Sequence, residues 1–185
     1  MRAAVLRALL VAGWLLVAAA PSRGDDAPRV TERSVKAAFL YKFAGYVEWP
    51  DGAPSDGLPL TIGVLGSADM ADELARITSG RTVNNRPVRI RQLAVGEPLA
   101  GLHVLFVGTG AGERLDASLS PARGLPILVV TDAPGALANG SIINFTFERD
   151  RVRFEVSLPA AERSRLKLSS RLLAVAQRVQ RAPET

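Results

Sequence analysis

Apolar side chains recur at helical spacing in the stretch that follows residue 33, and several of them are aromatic. A period near 3.6 residues predicts an amphipathic helix over about 34–48, and an apolar stripe of this kind is more typical of a core helix than of an aromatic ligand site. We expect Ser34 to cap the start of the helix and Pro50 to mark its end, because the residue before a proline disfavours the helical conformation. The stripe consists of Val35, Phe39, Phe43 and Tyr46. We interpret this helix as the element against which the rest of the chain packs.

Three continuous apolar runs, separated by helical patterns, predict buried strands. These runs cover 60–65, 102–107 and 126–131. A helix is expected to start after Ser67, and a shorter one is expected over 113–119. Between them, residues 88–93 alternate apolar and polar, which predicts a strand with one solvated face at the edge of the sheet. The alternation of strands and helices predicts a mostly parallel sheet with helices on both faces.

An antiparallel hairpin is predicted after these strands. Apolar runs over 141–147 and 152–156 flank the polar run 148–151, which would form the turn. Side chains alternate between the two faces of a strand, so each face of the second run can be assigned. One face carries Val152, Phe154 and Val156, and the other carries Arg151, Arg153, Glu155 and Ser157.

Two further helical patterns complete the chain. Pro159 suits the first turn of a helix that continues to about Arg165, and Ser169 and Ser170 are expected to cap the last helix. The last helix would bury Leu172, Leu173, Ala176 and Val179. The predicted fold class is therefore α/β: a mostly parallel sheet with a C-terminal antiparallel hairpin and helices on both faces, in a single domain over 25–185.

The first residues have the pattern of a secretory signal. Two arginines supply a positive start, and the apolar run over 8–20 that follows is short for a membrane span. Cleavage is expected after Ala19 or after Gly24, and an uncleaved anchor is the alternative. The sequence thus predicts a signal peptide over 1–24, export to the periplasm, and no membrane-spanning segment in the mature chain.

Composition excludes several classes of function. The chain contains no cysteine, which rules out a disulfide framework, a thiolate metal site and a cysteine nucleophile. The signal carries three arginines and no acid, so the mature chain keeps 20 basic against 18 acidic side chains. Nucleic-acid binding needs a dense basic stripe, and the sequence shows none. We therefore expect no nucleic-acid partner.

Small polar residues follow three of the predicted strands. The run from Gly108 to Gly112 follows a strand and precedes a helix, as a phosphate-binding loop does, but Glu113 replaces the third glycine of the dinucleotide fingerprint. We therefore expect no dinucleotide cofactor. A pocket for a smaller ligand is the weaker alternative, since ligands of open α/β sheets bind at the carboxyl ends of the strands. That pocket would be lined by Ser67, Thr109, Thr131 and Asp132.

His103 is the only histidine, and it lies within an apolar strand. A hydrogen-bonded histidine in the core or at a strand edge explains this position better than a catalytic base. Zinc sites combine several Cys, His or carboxylate ligands, so one histidine without cysteine does not indicate one. A serine nucleophile would lack the G-x-S-x-G turn. We expect no catalytic residues, no metal and no cofactor.

Two long stretches of the chain resemble the YfiR family. Residues 35–50, Val-Lys-Ala-Ala-Phe-Leu-Tyr-Lys-Phe-Ala-Gly-Tyr-Val-Glu-Trp-Pro, resemble its opening motif. Three segments resemble its closing motif: Ile142-Ile-Asn-Phe, Arg151-Val-Arg-Phe-Glu-Val and Leu166-Lys-Leu-Ser-Ser-Arg-Leu-Leu. The predicted strands around 62–66 and 103–106 fit the middle of the family pattern, so the resemblance spans about 30–180.

The resemblance implies a bacterial periplasmic α/β protein, commonly dimeric, that restrains an inner-membrane diguanylate cyclase by contacting its periplasmic part. Release of that restraint would raise cyclic-di-GMP and biofilm formation. Relatives often carry cysteines, one of them directly before the His-x-Leu-Phe strand, where this chain has Leu102. Redox control through a disulfide is therefore not available to this chain.

The predicted partner-binding surface is the outward row of the second hairpin strand together with the helix that follows. It consists of Arg153, Glu155, Ser157, Ala161, Arg163 and Lys167. An ordinary solvated face is the alternative for each of these residues. A small-ligand sensor that uses the strand-end pocket is the second functional interpretation, and an enzyme is the third.

Overall fold

Helices and strands alternate through the chain in the computed structural model, which describes residues 31–51, 58–111 and 115–182. The predicted signal peptide over 1–24 lies outside these residues. The helices are α1 (Glu32–Phe43), α2 (Ala68–Thr78), α3 (Leu115–Leu119), α4 (Leu158–Arg163) and α5 (Ser170–Val175). The strands are β1 (Val47–Glu48), β2 (Leu60–Leu65), β3 (Thr82–Val83), β4 (Arg86–Leu93), β5 (Val104–Val107), β6 (Leu128–Thr131), β7 (Ile143–Glu148), β8 (Arg151–Ser157), β9 (Lys167–Leu168) and β10 (Arg178–Gln180). None of the helices within these ranges has the length and apolar character needed to cross a bilayer.

Eight of these strands form one sheet in the order β10-β8-β7-β6-β5-β2-β4-β3. Five neighbouring strands run parallel to one another: β7, β6, β5, β2 and β4. β8 is antiparallel to β7. β3 pairs only with the first two residues of β4, so β4 lies near the edge, as predicted. β1 and β9 form a separate antiparallel pair. The prediction of a mostly parallel sheet with a C-terminal antiparallel hairpin is confirmed.

Each face of the sheet is buried under its own apolar cluster. In β5, Val104 and Phe106 belong to one cluster, and Leu105 and Val107 belong to the other, as the two-residue period of a strand requires. α1 and α2 contribute to the first cluster, and Leu119 of α3 contributes to the second. The prediction of helices on both faces is therefore confirmed.

α1 starts and ends earlier than predicted. Its cap is Thr31, whose hydroxyl accepts a hydrogen bond from the backbone N–H of Ser34 at 3.2 Å, so Ser34 is not the cap. After Phe43 the chain makes one 3₁₀ turn over Ala44–Tyr46 and then enters β1. The helix ends there because β1 pairs with β9, which gives its backbone groups partners outside the helix.

Four phenylalanine rings form the centre of the first cluster. Phe39 and Phe43 of α1 contact Phe145 of β7 and Phe154 of β8. The centroids of Phe43 and Phe154 are 4.9 Å apart with the rings steeply inclined, and Phe43 stacks on Phe145 at 5.7 Å. Tyr46, predicted to share this stripe, is 40% exposed because the helix has ended before it. α1 is thus packed against both strands of the hairpin.

β7 and β8 form the predicted hairpin with a shorter turn than expected. Glu148 pairs with Arg151 and continues the ladder, which leaves only two residues in the turn. These are Arg149 and Asp150, with φ angles of 48° and 59°. Positive φ at both central positions is what a type I′ turn requires, and this turn matches the twist of antiparallel strands.

The described chain ends in a strand where a helix was predicted. α5 is capped by Ser169, whose hydroxyl accepts from the N–H of Leu172 at 3.3 Å, but the helix spans only six residues. The chain then extends as β10 and pairs in parallel with residues 155–157 of β8. The prediction that Ala176 and Val179 belong to the last helix was therefore wrong. The edge of β8 supplies backbone partners that the local sequence pattern does not reveal.

We predict that Phe43→Ala lowers the free energy of unfolding by about 3–5 kcal/mol, because it leaves a cavity among the four rings. Phe43 is 2% exposed, whereas Phe147 is 52% exposed. The matched control Phe147→Ala removes the same ring and should cost less than about 1 kcal/mol. Urea unfolding followed by circular dichroism measures both values. Equal losses for the two variants would contradict the central position of the α1–hairpin packing.

Candidate functional site

Three of the four predicted ligand-binding residues lie together at the carboxyl ends of the strands. Ser67 follows β2, Thr109 follows β5 and Asp132 follows β6. The Asp132 carboxylate accepts a hydrogen bond from the backbone N–H of Thr109 at 3.1 Å. Ser67 and Asp132 line a cavity of about 360 Å³ together with Met70 and residues around the start of α1. The parallel sheet brings these residues to one edge, as its topology requires.

Lys36 also lines this cavity, although it was not among the predicted ligand-binding residues. Its ammonium group lies 3.0 Å from the carboxylate of Asp132 and 2.6 Å from that of Glu32. Burial lowers the pKa of Lys36, but the hydrogen bonds and charges of these two carboxylates outweigh that effect, so the pKa lies above its usual 10.5. The only sequence signal for this cluster is the spacing of one helical turn between Glu32 and Lys36. The ion pairs join α1 to the end of β6.

Thr131 does not line the cavity, because its side chain is completely buried. Its hydroxyl donates to the side-chain oxygen of Asn144 at 2.8 Å and lies 2.9 Å from the hydroxyl of Ser141. Ser141 in turn donates to the backbone carbonyl of Ile143 at 2.7 Å. This buried network links β6 to β7 and explains why polar residues occur in these strands.

Gly110 gives a packing reason for part of the glycine run. A Cβ atom at this position would lie 2.3 Å from the carbonyl oxygen of Gly66, the residue that follows β2. Only glycine permits such an approach between the loops after β2 and β5. Gly112 and Glu113, which decided against a dinucleotide site, lie outside the described residues.

His103 is held in the core, as predicted. It is 1% exposed, and its Nδ1 accepts a hydrogen bond from the backbone N–H of Thr61 at 3.1 Å. A terminal nitrogen of Arg86 lies 2.7 Å from Nε2, and the ring of Trp49 meets the imidazole edge-on with centroids 5.7 Å apart. The imidazole thus connects β2, β4 and the residue that follows β1. Within the described residues, no group of three or more His, Asp or Glu side chains is placed to hold a metal ion.

Only part of the predicted partner-binding set lies on the surface. Arg153, Arg163 and Lys167 are exposed. Ser157 and Ala161 are 3% and 2% exposed, so neither contributes to that surface. β10 covers β8 at Ser157, whose hydroxyl accepts a hydrogen bond from the first turn of α4 at 3.4 Å. Ser157 and Ala161 are therefore part of the packed interior of the domain.

Glu155 is half-buried and forms an ion pair with Arg178 of β10. The nearest nitrogen and oxygen of the pair are 3.0 Å apart, and the two residues face each other in the β8–β10 register. The Glu155 side chain is 19% exposed, whereas that of Arg178 is 65% exposed. A substitution at Glu155 therefore alters the contact between β8 and β10 as well as the charge of the surface.

A model of the YfiR/HmsC-like family matches residues 33–177, which is most of the chain. The chain belongs to the YfiR/HmsC-like family. The resemblance to the YfiR family is thereby confirmed. The YfiR/HmsC-like family is regulatory rather than catalytic, and it is connected with the periplasm and with diguanylate cyclase signalling.

Solved structures add a likeness of fold to this family match. One similar structure is a conserved domain protein from Vibrio cholerae O1 biovar El Tor, with a TM-score of 0.56 and 10% sequence identity. The aligned region covers 81% of this chain and 60% of the Vibrio chain. At this identity the likeness concerns the fold alone. A search of curated proteins gave no match.

We predict that Lys36→Met lowers the free energy of unfolding by about 1–3 kcal/mol at neutral pH, because Asp132 and Glu32 lose their cation. Since the folded pKa of Lys36 lies above 10.5, its contribution is fully present below that pH and is lost as the pH rises further. The difference in the free energy of unfolding between wild type and variant should therefore shrink above about pH 10.5. Urea unfolding at a series of pH values measures it.

Lys42 provides the matched control, because it is an exposed lysine in the same helix. Lys42→Met should change stability by less than about 0.5 kcal/mol at every pH. A loss for Lys36→Met that stays constant up to the most alkaline pH would contradict the importance of this ion-pair cluster.

Proposed function

We propose that this protein acts in the periplasm, where it binds the periplasmic part of an inner-membrane diguanylate cyclase and holds that enzyme in a less active state. The observation that carries the proposal is the YfiR/HmsC-like match over residues 33–177. The signal pattern over 1–24 supports export. Restraint of this kind lowers cyclic-di-GMP and biofilm formation. We propose a homodimer as the working form, and light scattering of the mature protein tests that.

Restraint from the periplasm works through the conformation of the partner. A periplasmic protein does not reach a cytoplasmic catalytic domain, but it shifts a membrane-spanning partner toward the conformation that it binds better. A tenfold change in the ratio of two states requires a difference in binding free energy of about 1.4 kcal/mol. Differential binding of this size needs no reactive group on the regulator.

Exposed charged side chains among the predicted surface residues support such a contact. Arg153, Arg163 and Lys167 are exposed. Arg153 lies two residues before Glu155 in β8, and Glu155 forms the ion pair with Arg178 of β10. Charges at the rim of an interface contribute more to orientation and association rate than to affinity. We include these residues in the proposed interface.

Removal of the protein from its bacterium should raise cyclic-di-GMP, and its return should restore the lower level. Mass spectrometry of cell extracts measures the nucleotide, and a strain with a catalytically inactive cyclase provides the control. The tagged mature protein should also capture the full-length cyclase from solubilised membranes. Unchanged nucleotide together with no capture of a cyclase would overturn the proposal.

The same capture experiment tests the surface. Glu155→Lys should weaken capture without unfolding the domain, as thermal unfolding can verify. Because this change also places two cations together, the exchange of Glu155→Arg with Arg178→Glu is the control, since it restores an opposite-charge pair between β8 and β10. Recovery of capture in the exchanged variant would assign the effect to the attachment of β10. Continued loss would indicate direct contact with the partner.

The strand-end cavity favours a second candidate function, the sensing of a small ligand. Its walls carry side chains of both charges, including Lys36 and Asp132, and it encloses about 360 Å³. Ligands of open α/β sheets bind at the carboxyl ends of the strands, which is where this cavity lies. The ion pairs described above also explain the cavity as part of the fold, so this function stands second.

Thermal unfolding with a panel of amino acids and nucleotides tests the sensor. A true ligand in large excess over its dissociation constant should raise the midpoint by several degrees, or about 2–3 kcal/mol of stability. Asp132→Asn should abolish that rise, whereas Asp116→Asn, on the exposed side of α3, should retain it. No rise with any compound would contradict the sensor function.

A further inference from the structure

The outer edge of β8 is paired over only part of its length. β10 pairs with residues 155–157, and the N–H of Gln177 donates to the carbonyl of Phe154 at 2.9 Å. The carbonyl of Phe154 thus points away from β7, the antiparallel neighbour of β8. Outward-pointing backbone groups recur at every second residue of such a strand, so the N–H and C=O of Val152 point away from β7 as well. No strand in the described part of the chain lies opposite Val152 on that side. Val152 therefore presents a backbone N–H and C=O at an open edge.

A basic groove lies beside this open edge. It encloses about 700 Å³ between the hairpin on one side and the end of α5 with the residues that join it to β10 on the other. Arg149, Arg151 and Arg153 line it, and none of their guanidinium groups forms an ion pair or hydrogen bond with a residue that the structure describes. The nearby Glu148 carboxylate is already hydrogen-bonded by the side-chain amide of Gln177 at 2.8 Å. The groove thus carries three positive charges without a partner.

The opposite wall of the groove is apolar and exposed. Val175 is 64% exposed, and Ala174 beside it is also exposed. An open strand edge recruits a further strand through backbone hydrogen bonds. Arg151 and Arg153 lie on one face about 7 Å apart, so alternate side chains of an added strand would lie opposite them. Carboxylates at those positions would form charge-assisted hydrogen bonds with the guanidinium groups.

A second copy of this chain is a poor occupant of the edge. Symmetric pairing of two β8 edges would bring the arginines of both copies together, and like charges directly opposite each other destabilise a strand pair. The charge of the groove therefore favours a strand from another protein that carries acidic residues.

We propose that the open edge of β8 at Val152, flanked by Arg151 and Arg153, binds an extended acidic segment of the partner protein as an added β-strand. For the class of partner this inference rests on the proposed function, since the segment would belong to the periplasmic part of the membrane cyclase. The backbone of Val152 provides hydrogen bonds that set the register. The arginines provide selectivity for acidic side chains.

A synthetic peptide of about eight residues with alternating glutamate and valine serves as the probe, and its lysine–valine counterpart is the control. Fluorescence anisotropy with the mature protein should show binding of the acidic peptide alone, with weaker binding at high salt. Arg151→Glu combined with Arg153→Glu should weaken that binding at least about tenfold. The matched control, Arg171→Glu with Arg181→Glu, makes the same change of charge at two exposed arginines elsewhere and should retain binding.

Hydrogen exchange distinguishes strand addition from simple charge attraction. The amide of Val152 should exchange more slowly when the acidic peptide is bound. Val152→Pro removes this outward N–H, and proline is tolerated at open strand edges, so the variant should fold and yet bind weakly with all three arginines present. If the proline variant does not fold, the exchange rate measured on the wild-type protein decides the question.

Three results would each overturn the inference: no binding of the acidic peptide, equal binding of the lysine counterpart, or unchanged exchange at Val152. Capture of the full-length cyclase separates this inference from the proposed function. Undiminished capture by the Arg151→Glu, Arg153→Glu protein would overturn the docking site and leave the proposed function standing. Peptide binding with no capture of a cyclase and unchanged cyclic-di-GMP would overturn the proposed function and leave the docking site standing.

Discussion

The packing of α1 against the β7–β8 hairpin is the contact on which the rest of the structure depends. Phe43 meets both Phe145 and Phe154, so one helix covers the place where the sheet changes from parallel to antiparallel. Burial of these large rings removes apolar surface from water on both sides of the contact. The position of α1 in turn fixes Lys36 beside Asp132 and brings β1 to β9.

The change of strand direction at β8 also determines where the strand-end cavity and the basic groove lie. β6 and β7 run parallel and end at the same edge, where the polar cavity contains Asp132 and the hairpin turn follows β7. Side chains alternate along β8, so Phe154 faces α1 while Arg151 and Arg153 face the other way. One short hairpin thus supplies a core for the fold on one face and a charged groove on the opposite face.

Sequence patterns predicted correctly the elements whose partners are close along the chain. The hairpin and the two faces of β8 followed from alternation alone, since neighbouring strands pair with each other. Errors arose where a distant strand decides the local structure: β9 ends α1, and β10 replaces the end of the last helix and covers Ser157. Lys36 was missed for the same reason, because its partner Asp132 comes from far along the chain.

The position of the four rings along the chain also governs when the protein is able to fold. Phe39 and Phe43 are synthesised well before Phe145 and Phe154. Contacts between such distant residues form slowly, and they leave apolar side chains uncovered in the meantime. The nascent polypeptide therefore cannot complete the first cluster until β8 has been made.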